Sequence, residues 1–467
     1  MNSNLTKTAV VILAAGDGKR MKSARSKVCC EVLFKPMISW VLSGCERLGL
    51  TKQDICVVVS NIDNGVKSLL PEDVVVTEQE KKLGTGHAVM QALPFLKQKK
   101  NENFKNVCVL YGDVPFLDEK VLAPALCFHE KNNNAVTVLT SVVDDPAGYG
   151  RIIHEDDGNV RIVESADATT EELFIHEINS GVYCFDLDFL IKALPRLTNN
   201  NVQKEFYLTD TVAMAKDFGL KSDSFACKDA SAVLGANSRK DLASLNEIAR
   251  QKVFDKLYEQ GVNIPCTDGV IISPDTDIGC DTTILPGCIL TGHNIIGSNC
   301  VIGPNSQIND STIGDGSIIN ASKIDTSIVK NNVKIGPFSQ LRPDCVIEDN
   351  VKIGDFVEVK NSIVGEKTSL AHLTYIGDSD FGKGINVGCG VVTVNYDGQN
   401  KFRTVVEDGA FIGCNTNLIA PVKVGKGAYI AAATTVTKDV NDESLVFGRV
   451  RQEEKLNGAV GRIKKKI

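Results

Sequence analysis

From about residue 270 onward, aliphatic residues return at every sixth position: Ile278, Ile284, Leu290, Ile296, Ile302 and Ile308. The beat resumes at Ile335, Leu341, Ile347, Ile353 and Val359, slips by one residue, and continues at Val364, Leu370 and Ile376. It appears again at Val424, Ile430 and Val436. A helix repeats at 3.6 residues and a strand at 2.0, so neither element alone gives this spacing. A period of six is the sequence sign of a parallel β-helix, expected here to be left-handed. One aliphatic side chain per flat face points inward, and stacked coils build a continuous column. Gly279, Gly297, Gly303, Gly314, Gly336 and Gly354 follow the aliphatic position, where tight corners are expected. Residues 386–409 break the beat, and an insertion in a solenoid maps to a loop on one face. The repeat speaks for fold and not for activity, because such solenoids also serve as bare scaffolds.

Residues 5 to about 235 have a different rhythm. Short apolar runs at Thr8–Ala14, Ile55–Ser60, 107–110 and 135–142 alternate with helical patterns at 36–48 and 85–96. Strands alternating with helices predict a Rossmann-like α/β domain with a sheet covered on both faces. Arg151–His154 and 174–185 read as added strands in a mixed sheet. Between the halves, Leu242, Leu245, Ala249, Val253 and Leu257 recur at helical steps and Gly261 closes the pattern. The expected organisation is therefore a domain over 1–236, a connecting helix over 237–261, and a β-helix with a tail over 262–467.

The net charge of −7 and the absence of a long basic block argue against nucleic acid as the main partner. The basic tail 462–467 reads as a solvated terminus. The 15 cysteines form no CxxC pair and sit largely among apolar neighbours, a usage that fits a reducing, cytoplasmic setting. The apolar run 9–15 reads as a buried strand and not a signal peptide. No apolar stretch approaches the roughly 20 residues of a membrane span.

The first strand runs into Leu13-Ala14-Ala15-Gly16-Asp17-Gly18-Lys19-Arg20-Met21, with Lys27 shortly after. Small residues let backbone N–H groups approach a phosphate, and Arg20 and Lys27 add positive charge. The loop is neither GxGxxG nor a P-loop, and a plain glycine turn is the alternative. Asp113 ends an apolar strand, where α/β folds place ligands. His87 reads as a helix-start or packing residue.

The LxAGxGxRM…K pattern, together with the hexapeptide half, resembles the bacterial family of bifunctional N-acetylglucosamine-1-phosphate uridyltransferases and glucosamine-1-phosphate N-acetyltransferases, over nearly the whole chain. The resemblance implies a uridine nucleotide site at Leu13, Ala14, Ala15, Gly16 and Lys27. Gln79 and the segment Leu83-Gly84-Thr85-Gly86-His87-Ala88 match the uracil-reading region, and Tyr111-Gly112-Asp113 the strand end that carries a Mg²⁺ carboxylate. Gly148-Tyr149-Gly150-Arg151, Glu164 and Asn179 match sugar-binding positions, and Asn237 the second Mg²⁺ ligand. Lys27 and Arg20 are implied to neutralise charge as phosphate attacks the α-phosphorus of UTP. This chain has Ser26 where the family usually has proline before the lysine.

Acetyl transfer to an amine needs a base, and histidine suits neutral pH. His372 lies in Ser369-Leu370-Ala371-His372-Leu373-Thr374-Tyr375, and the family match makes it the base. The resemblance further implies Arg342, Lys360, Tyr375 and Asn386 as sugar-phosphate contacts. It implies Cys389, Asn395, Tyr396, Cys414, Ala432 and Arg449 as acetyl-CoA contacts, with Lys401 similarly placed. Cys389 and Cys414 stand where the family commonly carries alanine and serine. The implied product is UDP-N-acetylglucosamine, a precursor of bacterial cell wall and lipopolysaccharide, made by a homotrimer. A single-activity pyrophosphorylase with an oligomerising solenoid is the alternative, and a non-catalytic regulatory subunit a third reading. The retained His372, Asn395, Tyr396, Arg342 and Lys360 count against the former, and Gly16, Arg20, Lys27, Asp113 and Asn237 together count against the latter.

Overall fold

The computed structural model describes residues 7–460 apart from 17, 19, 20, 23, 24, 63, 64 and 147, so Arg20 and the basic tail lie outside the described residues. The chain forms two compact units, Met1–Ala249 and Arg250–Ile467.

The first unit is built on a nine-stranded mixed sheet. The central order is Ser222–Ala226, Val136–Val142, Glu177–Asp186, Asn106–Tyr111, Thr8–Ala14, Ile55–Ser60 and Val75–Gln79. All neighbours along it are parallel except Glu177–Asp186, which runs against both of its partners. The strand TAVVILA is β-branched and apolar along nearly its whole length, as a strand covered on both faces must be. Its alternation divides the core: Ala9 and Val11 join one hydrophobic cluster, while Val10, Ile12 and Ala14 join the other. Parallel pairing brings Ala14, Ser60, Gln79 and Tyr111 to one end of the sheet. The antiparallel strand brings Asn179, near its start, to the same end.

One local expectation fails. The single helix read over 85–96 is two helices, Thr85–Gln91 and Leu93–Asn101, broken at Ala92. Pro94 sits in the first turn of the second helix. Proline has no N–H to bond back and its ring crowds the preceding turn, so the first helix cannot run through it.

The second unit is a parallel β-helix. Three sheets of 10, 9 and 10 strands form its faces, and the ladder pairings within them are parallel throughout, as between Ile271–Ile272 and Ile289–Thr291. The repeating aliphatics are buried from Ile278 to Val436, with Ile284, Leu290, Ile302, Leu341, Val359 and Ile376 almost wholly inaccessible. Between Ile308 and Ile335 the column does not stop. Ile313, Ile319, Ile324 and Val329 fill it, all buried, on coils whose corners are shortened to five-residue steps at Asp310, Ala321 and Thr326. The insertion is also narrower than 386–409: Val387, Thr393 and Val406 remain in the column, so only about 395–403 leaves it.

The corner glycines have two separate reasons. Gly303 adopts φ +117°, a backbone region that favours glycine. Gly354 has an ordinary φ, but a Cβ there would lie 1.9 Å from the carbonyl oxygen of Ala371 on the next coil. Elsewhere the left-handed corner is taken by Asp281, Asn299, Asn332 and Asn350, residue types that tolerate it.

Candidate functional site

At the carboxyl end of the first unit's strands lies a cleft of about 480 Å³. It gathers Leu13, Ala15, Gly16, Lys27, Gln79, Gly84, Thr85, Tyr111, Asp113 and Asn237. It also includes Gly18, Lys82, Ala88 and Glu205, of which Lys82 and Glu205 were not anticipated. Ala14 does not face it: the side chain is 1 % exposed and packs in the core, so this residue can contribute only its backbone. Gly112 lies behind the cleft, where a Cβ would press on Ile38, Val28 and the carbonyl of Leu13.

Asp113 and Asn237 converge. Lys27 pairs its ammonium with the Asp113 carboxylate and donates a hydrogen bond to Asn237 Oδ1 at 3.3 Å. Two hard oxygen donors thus aim at one point that already holds a positive charge, which is the donor chemistry a divalent cation such as Mg²⁺ takes from protein. Asp241 accepts from the backbone N–H groups of Asn237 and Ser238 at 2.9 and 2.8 Å, fixing the start of the helix Arg239–Glu259 and with it Asn237.

Gln79 and Gly84 line another part of the cleft. Gln79 is buried and uses its amide N–H groups on the Gly84 carbonyl and His87 Nδ1, both at 3.1 Å. Among the described residues its carbonyl oxygen makes no hydrogen bond. His87 is therefore a positioning residue for Gln79, and burial lowers its pKa, favouring the neutral ring that can accept that bond. Gly84, with φ +105°, lets the chain pass the Phe206 carbonyl, which a Cβ would meet at 2.6 Å.

A second group of residues lies beyond Tyr111. The Asn179 backbone N–H donates to the Gly150 carbonyl at 2.9 Å, and its side-chain amide donates to the Tyr183 hydroxyl at 2.8 Å. Glu164 accepts from Thr209 at 3.2 Å. Burial raises the Glu164 pKa, opposed by that hydrogen bond. Burial raises the pKa of Tyr111, and the nearby Glu164 charge adds to the rise. Arg151 turns inward and donates to the Tyr149 carbonyl. Thr209 and Tyr183 carried no motif signal in the sequence.

In the second unit the expected residues form a ladder. Parallel pairing sets Asp355 beside His372, and the pairings Val387↔Ile412 and Ile412↔Ile430 carry the same corner on to Cys389, Cys414 and Ala432. Successive members are one coil apart, roughly 4.8 Å by strand spacing. Arg449 folds back to donate to the Ala432 carbonyl. His372 is open, with a side chain 60 % exposed, and its Nδ1 lies 2.7 Å from Asp355 Oδ1. Asp355 was missed by motif reading. Its signal was present: it precedes His372 by 17 residues, one coil once the single-residue slip is counted.

Around the corner, Arg342, Lys360 and Gly377 occupy equivalent rungs, and the Tyr375 hydroxyl leans over Gly377. Arg342 is paired with Glu358 at 3.0 Å. Lys360 lies 3.8 Å from Asp378, which also receives hydrogen bonds from Asn361 and from Asn395. Asn395 is thereby the anchor of the inserted loop, while Tyr396 is exposed and donates to the Gly398 carbonyl at 2.6 Å. Tyr396 also pairs with Lys401 across the loop. Lys401, and after it burial, lowers the Lys360 pKa. Asn386 is exposed on the flat face that leads to the Cys389 corner.

Among the described residues no cluster of three or more His, Cys, Asp or Glu side chains is set up to hold a metal. No helix among them is long and apolar enough to cross a membrane. All 15 cysteines are unbridged, eight of them buried, in keeping with their apolar surroundings.

The nucleotidyl transferase family model matches residues 9–229, and the GlmU-like C-terminal hexapeptide model matches 301–382. A bifunctional protein GlmU from Thermoanaerobacter pseudethanolicus is 48% identical over 97% of this chain and 98% of its own. Another from Fervidobacterium nodosum is 47% identical over 95% of each chain. A third, from Exiguobacterium sp., is 44% identical over 95% of this chain and 98% of its own. With this identity sustained across both units, the chain belongs to the bifunctional GlmU family.

Proposed function

We propose that this chain carries out two successive reactions. It transfers an acetyl group from acetyl-CoA to the amine of glucosamine 1-phosphate. It then joins N-acetylglucosamine 1-phosphate to UTP, giving UDP-N-acetylglucosamine and pyrophosphate. The observation that carries this reading is the presence on one chain of two chemically distinct sites: Lys27 bridging Asp113 and Asn237 in the cleft, and His372 open on the solenoid corner. The same reading assigns 1–236 to uridylyl transfer, 237–261 to a connecting helix and 262–467 to acetyl transfer.

In the cleft no protein nucleophile is required. The sugar phosphate attacks the α-phosphorus and pyrophosphate leaves, so the protein supplies positioning and charge. Asp113 and Asn237 would hold a divalent cation, proposed as Mg²⁺, which neutralises the triphosphate. Lys27 supplies a positive charge beside it, with Arg20, outside the described residues, as a second. Leu13, Ala15 and Gly16 let the phosphates approach the backbone. The Gln79 carbonyl accepts from the uracil ring N–H, while Gly84 and Thr85 shape that end. Gly150, Glu164 and Asn179 bind the sugar.

In the solenoid Arg342, Lys360 and Lys401 take the sugar phosphate, and Tyr375 and Asn386 hold the sugar. Cys389, Cys414, Ala432 and Arg449 line the coenzyme, with Asn395 and Tyr396 closing over it. We further propose that the active form is a cytoplasmic homotrimer. The test is a single reaction containing protein, glucosamine 1-phosphate, acetyl-CoA, UTP and Mg²⁺, with each component omitted in turn. Pyrophosphate release that persists without acetyl-CoA and without added N-acetylglucosamine 1-phosphate would overturn the coupled order.

A further inference from the structure

His372 alone leaves a question open. An imidazole that is to take a proton must present a nitrogen lone pair toward the amine, and a neutral histidine has two tautomers to choose from. An exposed ring on a corner has little packing to make that choice.

The ladder supplies a partner. Asp355 and His372 are register partners on adjacent coils, and Asp355 Oδ1 lies 2.7 Å from Nδ1. A carboxylate can only accept, so the proton at this contact belongs to Nδ1 and the lone pair to Nε2. Asp355 is itself held by its backbone: its carbonyl accepts from Leu373 N at 3.0 Å. The carboxyl is kept below the ordinary range, most of all by the bond from His372, so it stays ionised as this contact requires. On the other side of the ring, the neighbouring rung is the Cys389 thiol.

We propose that Asp355 is a positioning residue for acetyl transfer, holding His372 as the Nδ1–H tautomer so that Nε2 faces the substrate amine. The inference rests on the reading of His372 as the base. In the step it serves, the amine nitrogen attacks the thioester carbonyl carbon. The C–N bond forms, the C–S bond breaks, the amine proton passes to Nε2, and that proton then goes to the departing coenzyme thiolate. Nothing is oxidised or reduced.

The test compares parent protein with Asp355→Asn, Asp355→Ala and His372→Ala. Both Asp355 variants leave the main-chain rung in place. Nitrogen-15 spectra of the imidazoles report the tautomer, and only six histidines are present, so His372→Ala assigns the signal by its loss. The expected result is Nδ1–H in the parent, a shift toward Nε2–H in both Asp355 variants, and acetylation kcat lower by about tenfold or more with KM within about twofold. The same tautomer in parent and variants, or a tautomer shift with unchanged kcat, overturns the role of Asp355. Parental kcat in His372→Ala instead overturns the base assignment, whatever Asp355 does.

Discussion

The cleft of the first unit and the corner of the second solve the problem of holding a substrate in opposite ways. In the cleft, polar groups come from several separate strands and loops and are largely buried: Asp113, Gln79 and Asn179 are each less than 10 % exposed. On the β-helix the site is a row of neighbours from one repeated position, and its central histidine is mostly exposed. A buried polar group must be satisfied by its surroundings, so each cleft residue has a specific supporting partner, as Gln79 has His87. A ladder needs less support, because every rung is already held by main-chain bonds to the coils on either side. The cleft is therefore expected to be sensitive to backbone and packing changes, and the ladder chiefly to loss of the reacting groups.

The sharpest break of this comparison is Asp113→Ala. It should lower uridylyl transfer by about a thousandfold, by analogy with loss of a preorganised charge contact, while acetyl transfer continues. Pyrophosphate release and thiol release measured on the same preparation decide it, and loss of both in a folded variant would contradict two independent sites. His372→Ala should do the reverse, cutting acetylation about a hundredfold and sparing uridylyl transfer.

Smaller effects probe the supporting structure. Gly84→Ala introduces a Cβ at φ +105° against the Phe206 carbonyl, and should cost about 1–3 kcal/mol in thermal unfolding along with a raised KM for UTP. An unaltered melting curve would show the cleft to be more yielding than the ladder. A fourth effect is on pH. Lys401, then burial, depresses the Lys360 pKa below the usual lysine value of 10.5. The Lys360 charge is present below that depressed value and lost as pH rises through it. KM for glucosamine 1-phosphate should therefore climb on the alkaline side sooner than an ordinary lysine would allow. Lys401→Met should move the climb to higher pH, and an unmoved midpoint would remove Lys401 as the cause. The smallest effect is expected from thiol alkylation. Cys414 is exposed and Cys389 partly so, so a bulky maleimide should slow acetylation and leave uridylyl transfer intact, with Cys414→Ser resistant.

Local chemistry made much of this legible. The six-residue beat announced the column, and even where it faltered at 309–334 the inward aliphatics were present at mixed five- and six-residue steps. The glycine-rich loop, Asp113 and His372 stood out by motif. What escaped were partners without a motif of their own. Lys82 lies just before the quoted segment 83–88, and Glu205 enters the cleft from a loop far along the chain. Thr209 meets Glu164 across 45 positions and Lys27 meets Asn237 across 210. Pro94 was visible, yet the break it imposes at Ala92 was lost beneath an otherwise helical pattern.

The sequence by itself determined the two architectures and singled out the candidate site residues, because side-chain periodicity dictates which faces are buried and because phosphate and proton chemistry restrict the residue types that serve. Only the tertiary structure decided which groups meet. That Lys27 sits between Asp113 and Asn237, that His87 orients Gln79, and that Asp355 pairs with His372 follow from strand register and loop closure. Those contacts join positions far apart along the chain, and no local pattern of residue types encodes them.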